Sequence, residues 1–184
     1  ILTKGAAIEA ASILSLQYPK TLSRILGQDI VERAAETYWQ MSVIEDALTA
    51  FEAGGVTAMH DATEGGILGG LFEVAHASGN GMRADLRKVH LSEEAAAICR
   101  YFGMDPWSSI SEGTLIITAK PSNVDRIVAA LAEKSIHADI AGEILESSAG
   151  RTAVMPEGTI KPLSFPVEDP FWAAFFRTLE QPDE

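Results

Sequence analysis

One segment, "AMHDATEGGILGGLFEVAHASGNG" from Ala58 to Gly81, restricts the possible fold more than any other stretch of the chain. An apolar run ends at Met59, a polar turn with two adjacent glycines follows, and apolar residues then recur at helical spacing. A strand, a tight turn and a helix are therefore predicted in immediate succession. A plain connection needs only one glycine, so the pair Gly65–Gly66 suggests that something approaches this backbone closely.

Residues 61–66, the glycine turn, have two interpretations. In the first, the helix that begins near residue 66 offers the unpaired N–H groups of its first turn to an anion, and Gly65–Gly66 let the anion reach them. Thr63 could then cap the helix or donate its hydroxyl, while Asp61 could cap, orient the loop or face a cation. In the second, Thr63 is only a cap and the glycines only permit the turn. Gly69–Gly70 favour a close approach, because each glycine inside a helix costs about 1 kcal/mol relative to alanine.

The remaining patterns alternate between helix and strand. Strands are predicted for ILT, VTAM, GMRADL, GTLIIT and IHADIAGEIL, with VTAM buried and TAVMP the hairpin partner of the last. Helices are predicted from residue 7 to a stop at Pro19, at 28–39, at 43–53, from residue 66 and at 93–101. Two more follow. One begins after a Ser122/Asp125 capping box, and the other begins at Pro170 and is capped by Asp169. This order indicates an α+β, layered α/β/α domain with a mixed sheet. Neither a P-loop nor a G-x-G-x-x-G motif is present.

Composition narrows the functional classes. A chain of 184 residues, 47% of them hydrophobic, is predicted to form one domain over residues 1–184. The net charge is -12 and no basic run exceeds two residues, so a nucleic-acid partner is not expected. No run is long enough for a membrane span, and the predicted location is cytoplasmic. The single cysteine, Cys99, excludes an internal disulfide and is interpreted as a buried structural thiol.

Four side chains near the glycine turn could be taken for a metal set: His60, Glu64, Glu73 and His76. Their spacing matches no known ligand pattern, and two of them precede the predicted helix. No metal site within this chain is therefore predicted.

Three ordered blocks carry a family resemblance: TKGAAIEAASIL from Thr3, MHDATEGGILGGLFEVAHASG from Met59, and SEGTLIITAKPSNVDRIVAALAEKSIHADIAGEI from Ser111. Together they resemble the C-terminal domain of the AIR synthase (PurM-type) superfamily, with the turn most similar to the D-P-T-R-G-G element of the HypE-like branch, which acts in hydrogenase maturation. The resemblance covers Ile1 to about Leu145. Ala62 and Glu64 replace the proline and arginine of that element, and the chain ends "LEQPDE" rather than in a cysteine-containing tail. A separate AIR-synthase-related branch is therefore expected.

The resemblance implies a PurM-like fold and a two-domain enzyme. In this family ATP and Mg2+ are bound mainly by an N-terminal domain, which is absent from this chain. The same domain forms most of a homodimer interface. The C-terminal domain completes the cleft, where an amide or acid oxygen attacks the γ-phosphate of ATP. By position, Asp61, Thr63, Gly65 and Gly66 would line the cleft, with Thr3, Lys4 and Gly5 beside it and Glu112 a further candidate.

Two functions remain open from the sequence. The chain is either the cleft-completing half of such an enzyme, inactive when isolated, or a non-catalytic module that binds a small anion or a protein. Lys4 has its own alternative interpretation as a solvated lysine at a strand end.

Overall fold

A computed structural model describes residues 1–180 and residue 183, so most of the tail "QPDE" lies outside the described residues. The eight strands of the described part are β1 (Leu2–Thr3), β2 (Val56–Asp61), β3 (Gly81–Asp85), β4 (Leu115–Ala119), β5 (Ala138–Asp139), β6 (Gly142–Leu145), β7 (Arg151–Val154) and β8 (Ile160–Pro162). The eight α-helices of that part are α1 (Ile8–Gln17), α2 (Pro19–Leu26), α3 (Gln28–Glu36), α4 (Ile44–Ala53), α5 (Gly66–Ala77), α6 (Glu93–Phe102), α7 (Val124–Glu133) and α8 (Pro170–Glu180).

The strands form two four-stranded sheets. The first has the order β2-β4-β1-β5 and is antiparallel throughout. The second has the order β6-β3-β7-β8 and is mixed, because β3 and β7 run parallel while the other pairs are antiparallel. The predicted α+β class with a mixed sheet is confirmed, and the strands divide between two sheets.

Three strand predictions are wrong. The segment IHADIAGEIL is not one strand: β5 joins the first sheet and β6 joins the second. TAVMP is not its hairpin partner, since β7 pairs with β3 and β8. The strand VTAM is not buried, because β2 is an edge strand and its residues 57 and 58 are exposed. An edge strand has a neighbour on one side only, and the apolar composition of a short run does not reveal this.

The helix predictions differ at two boundaries. Pro19 does more than end α1, since it occupies the first turn of an additional helix, α2. The capping box after β4 is wrong: α7 begins at Val124 without a side-chain cap, and the Ser122 hydroxyl bonds the Asn123 side chain instead. The predicted cap of α8 is confirmed, because Asp169 Oδ1 accepts the N–H of Phe171 at 2.9 Å.

Three clusters of buried side chains hold these elements together. One lies between the two sheets and α5 and includes Ile67, Leu71 and Ile116. A second joins α1, α2, α3, α6 and α8 and includes the fully buried Leu14 and Phe171. The third packs α4 and α7 on β4. None of the helices in the described part of the chain is long and apolar enough to cross a membrane.

Candidate functional site

The two predicted site segments meet at the start of β4. In the first sheet β4 lies between β1 and β2, with Asp61 opposite Leu115. The backbone N–H of Ala62 donates to the Thr114 carbonyl at 2.9 Å, and the Thr114 hydroxyl donates to the carbonyl of Gly5. Thr3 Oγ1 accepts the N–H of Leu115 at 3.0 Å. Thr114 thus joins residues 3–5 to the glycine turn, although no sequence motif marks it.

Lys4 forms an ion pair and is largely shielded from solvent. Its ammonium donates to the carbonyls of Gln40 and Ser42, each at 2.9 Å, and to Asp46 Oδ2 at 3.0 Å. The side chains of Lys4 and Asp46 are only 10% and 3% exposed. The interpretation of Lys4 as a solvated lysine is therefore wrong. Because its three ammonium hydrogens are used within the chain, the described structure offers no donor from Lys4 to a phosphate.

Backbone conformation in residues 4–7 is unusual. Lys4 has φ of 62° and Ala7 has φ of 56°, a region that non-glycine residues seldom occupy. Gly5 has φ of 129°, and a Cβ there would lie 2.7 Å from the carbonyl oxygen of His90. Such strained backbone persists only where surrounding contacts enforce it, and it concentrates at functional sites.

The glycine turn requires both of its glycines. Gly65 and Gly66 have φ of 75° and 58°, and a Cβ on Gly66 would collide with the carbonyl oxygen of Ser109. The close approach that the sequence predicts is therefore made, at least at Gly66, by residues 107–109 of the chain itself. The capping role of Thr63 is wrong in its side-chain form: the helix has no side-chain cap, and the Thr63 carbonyl accepts the N–H of Gly66 at 3.0 Å.

Other N–H groups around the start of α5 also have partners. Gly65 donates to Asp169 Oδ2 at 2.9 Å, and Leu68 donates to the Trp107 carbonyl at 3.0 Å. Sequence reasoning identified Asp169 only as the cap of α8. Its second contact joins positions more than a hundred residues apart, which no local pattern could indicate.

A cavity of about 270 Å³ lies beside the glycine turn. Its lining residues are Glu9, Ile13, Thr63, Glu64, Ile110, Glu112, Phe171, Trp172 and Phe175. Three of these residues are acidic and three are aromatic, and none of the described residues that line the cavity is basic. The surroundings therefore oppose a highly charged anion.

Glu9 is the titratable group that this cavity perturbs most clearly. Burial raises the pKa of the Glu9 carboxyl to about 7, opposed by the N–H of Glu112 and reinforced by the charges of Glu112, Glu64 and Asp169. The Glu112 N–H reaches Glu9 Oε2 at 3.2 Å. A carboxyl with this pKa exchanges a proton near neutral pH, as a general acid or base must. Glu9 was missed because its position in the first turn of α1 does not reveal its burial.

Burial also raises the pKa of Asp169, against the opposing effect of the N–H groups of Gly65 and Phe171. Both carboxyls are therefore protonated more readily than an exposed carboxyl in water.

The four side chains considered for a metal are dispersed. His60 Nε2 lies 2.8 Å from Glu73 Oε2, whereas the ring of His76 stacks on Phe72 at 5.2 Å and Glu64 lines the cavity. Within residues 1–180 and 183, no group of three or more His, Cys, Asp or Glu side chains is placed to hold a metal ion. The prediction for Cys99 is confirmed, since its thiol is buried and burial raises its pKa to about 12.

A larger cavity of about 430 Å³ lies between the two sheets. Its walls are mainly apolar, including Leu71, Met82 and Ile116, and it contains none of the predicted site residues. The smaller cavity is therefore the better candidate for chemistry, because it combines titratable groups with the glycine turn.

Comparisons with known proteins show which family the chain resembles. Residues 1–154 match the family described as AIR synthase related protein, C-terminal domain. The carbamoyl dehydratase HypE of Rhizobium leguminosarum bv. viciae is 35% identical over 91 residues, which are 48% of this chain and 26% of that protein. The structure of E. coli HypE aligns with a TM-score of 0.66 at 22% identity, covering 92% of this chain and 50% of that one.

A further solved structure is a HypE in complex with ATP. It aligns with a TM-score of 0.66 at 18% identity, over 92% of this chain and 51% of that one. At these identities the two structures show a shared fold. The chain spans about a quarter of the curated relative and about half of each solved structure.

Proposed function

We propose that the chain, which belongs to the family of AIR synthase related C-terminal domains, is the cleft-completing half of an ATP-dependent enzyme. In the proposed reaction an amide or acid oxygen attacks the γ-phosphorus of ATP. A new oxygen–phosphorus bond forms, the bond from that phosphorus to the bridging oxygen breaks, and ADP leaves. The relatives named carbamoyl dehydratase HypE and the HypE structure with ATP support this class of reaction.

The junction at Thr114 carries the proposal. Its carbonyl accepts from Ala62 and its hydroxyl donates to Gly5, so the two segments that we propose line the cleft lie at one end of one sheet. A fixed junction of this kind serves positioning, which is the main contribution of a protein to phosphoryl transfer.

Glu9 provides the second element of the proposal. With a pKa of about 7, its carboxyl can take a proton from the phosphoryl-accepting molecule when that molecule enters the adjoining cavity. In this scheme the glycine turn holds the acceptor and Glu9 controls its protonation.

The described residues do not fit Mg2+ or a triphosphate on their own. They bring no three candidate metal ligands together, and the cavity beside the glycine turn is acidic. We therefore propose that the N-terminal domain of the complete protein holds both groups.

The test is ADP formation in the presence of Mg2+, ATP and a panel of amide and carboxylic acid acceptors. The 184-residue chain alone should release none above a blank, whereas the chain joined to its family's ATP-binding domain should release ADP. Thr114→Val should impair the joined protein, while Thr114→Ser retains the hydroxyl and serves as the matched control. Turnover by the 184-residue chain alone, surviving a check for contaminants, would contradict the proposal.

The second candidate is a non-catalytic module of the same fold that binds a small anion or a protein. The occupation of the Gly65 N–H by Asp169 favours the protein-binding form of this candidate, since that donor is already satisfied within the chain. A joined protein that binds ATP but forms no ADP with any acid or amide acceptor would favour this second candidate.

A further inference from the structure

We propose that the cavity beside the glycine turn binds a small organic cation, such as the alkylammonium group of an amine. The inference rests on the proposed function, in which the phosphoryl-accepting molecule enters this cavity. It adds the chemical class of that molecule, which carries a positively charged nitrogen.

One wall of the cavity is aromatic and belongs to α8. Phe171, Trp172 and Phe175 line it, and their ring centroids lie 5.1 to 6.3 Å from one another. Phe171 is 1% exposed and belongs to the core, whereas Trp172 is 43% exposed and open to a ligand. The face of an aromatic ring attracts a cation, and that of tryptophan does so most strongly. The wall therefore suits a ligand that is both apolar and positively charged.

Carboxylates from three other segments complete the boundary. Glu9 comes from α1, Glu64 from the glycine turn and Glu112 from the loop before β4. The ion pairs in the described part of the chain use other acidic residues and include none of these three. A cation from outside the chain would therefore supply the opposite charge that these carboxylates do not receive from its described residues.

The cavity suits an organic cation better than a metal ion. A hard metal ion such as Mg2+ requires several oxygen ligands in a fixed geometry. Within residues 1–180 and 183, no three acidic, histidine or cysteine side chains are placed to provide them. Attraction to a ring face needs no such geometry. The volume of about 270 Å³ is slightly below that of most sites for drug-sized molecules, which indicates a small ligand.

Glu9 gives the binding of a cation a proton signature. Burial and the charges of Glu112, Glu64 and Asp169 raise the pKa of Glu9 to about 7, against the N–H of Glu112. An entering cation opposes this effect and lowers the pKa, so the carboxyl releases a proton when the cation binds below about pH 7. The ionised carboxyl is also the form that can take a proton from the phosphoryl-accepting molecule.

The experiment compares a cation with its neutral isostere. The 184-residue chain is titrated by calorimetry with choline and with 3,3-dimethylbutan-1-ol, in which carbon replaces the charged nitrogen. Choline should bind at least about ten-fold more tightly than the alcohol. Its binding should release protons at about pH 6 and none at about pH 8. Mg2+ should displace choline no better than NaCl of equal ionic strength.

Matched variants test the two parts of the site. Trp172→Leu removes a ring but keeps an apolar side chain, so it should weaken choline binding about ten-fold. Phe176→Leu changes a 55% exposed residue of the same helix that is not among the described residues lining the cavity, and it should bind choline as the wild type does. Glu9→Gln should abolish the proton release, whereas Glu146→Gln at an exposed position should retain it. Thermal unfolding confirms that each variant is folded.

The outcomes separate this inference from the proposed function. Equal affinities for choline and the alcohol, or equal effects of Trp172→Leu and Phe176→Leu, would overturn the cation site. Displacement of choline by Mg2+ beyond the effect of NaCl would overturn the organic class. Choline binding without ADP formation by the joined protein would retain the cation site and contradict the proposed reaction. ADP formation without choline binding would retain the reaction and overturn the cation site.

Discussion

At the scale of single residues, burial decides the chemistry of the acidic and basic groups around the site. Glu9 and Lys4 lie five positions apart, yet one carboxyl titrates near neutral pH and one ammonium is locked against Asp46. A glutamate or lysine in the same sequence context could equally well be exposed. Only the contacts of the folded chain separate these cases.

We expect stability to fall between about pH 4.5 and pH 7 because of Glu9. Its pKa is raised from 4.5 to about 7 in the folded chain, so within this interval the native state binds a proton that the unfolded state has released. Stability therefore decreases as pH rises. Glu9→Gln, which stays neutral, should remove part of this decrease in denaturant-midpoint measurements across the interval. Exposed Glu146→Gln is the control, and an unchanged pH profile for Glu9→Gln would contradict the prediction.

Lys4→Met should destabilise the chain by about 3–5 kcal/mol, since it leaves a buried carboxylate without its cation. Among the described residues, Asp46 Oδ1 already has no hydrogen-bond partner, so the carboxylate has little other compensation. Urea unfolding measures the effect. Lys120→Met, at an exposed position, should change the free energy of unfolding by no more than about 0.5 kcal/mol. Similar values for the two variants would show that the ion pair contributes little.

At the scale of elements, the start of α5 is shaped by three separate parts of the chain. The loop at residues 107–109 lies close against Gly66, and residues 165–166 pack on the backbone of Gly65. Thr114, directly before β4, holds Ala62 by a hydrogen bond. The helix α8 is anchored in a similar way, with Phe171 buried at 1% exposure while Phe176 on the same helix is 55% exposed. The aromatic residues of α8 therefore cover the core with only part of their surface.

Comparing Gly66→Ala with Gly79→Ala should isolate the close approach at the glycine turn. Both residues have similar positive φ values, 58° and 68°, but only Gly66 has a neighbour that a Cβ would strike. Gly79→Ala should therefore cost only the backbone strain, about 1–2 kcal/mol, whereas Gly66→Ala should cost at least about 3 kcal/mol. Thermal and urea unfolding of both variants test this. Equal losses would mean that the loop at residues 107–109 yields easily.

At the scale of the whole molecule, one helix leaves an apolar stripe uncovered. Ile44, Leu48 and Phe51 lie on the same side of α4 and are 68%, 57% and 67% exposed. The opposite side of α4 packs in the third buried cluster, so the stripe is additional apolar surface. Exposed apolar patches of this kind mark interaction surfaces or promote association.

The 184-residue chain should accordingly be a monomer that associates weakly at high concentration. Leu48→Gln should reduce this association in light scattering or sedimentation, because it interrupts the stripe. Glu52→Gln, one turn further along the same helix, should not reduce it. A tight dimer that resists dilution would contradict the prediction and would indicate a dimer interface within this domain.

The sequence by itself determined the α+β class, the strand–turn–helix unit around the glycine turn and the family resemblance. These features rest on local periodicity, on glycines and caps, and on ordered blocks of residues, all of which can be recognised without distant contacts. Tertiary structure alone decided that β5 and β6 separate into two sheets, that β2 is an edge strand and that Lys4 is paired with Asp46. It also placed Asp169 on Gly65 and raised the pKa of Glu9. Pairing, burial and electrostatic interaction depend on residues brought together across the chain, so no local pattern contains them.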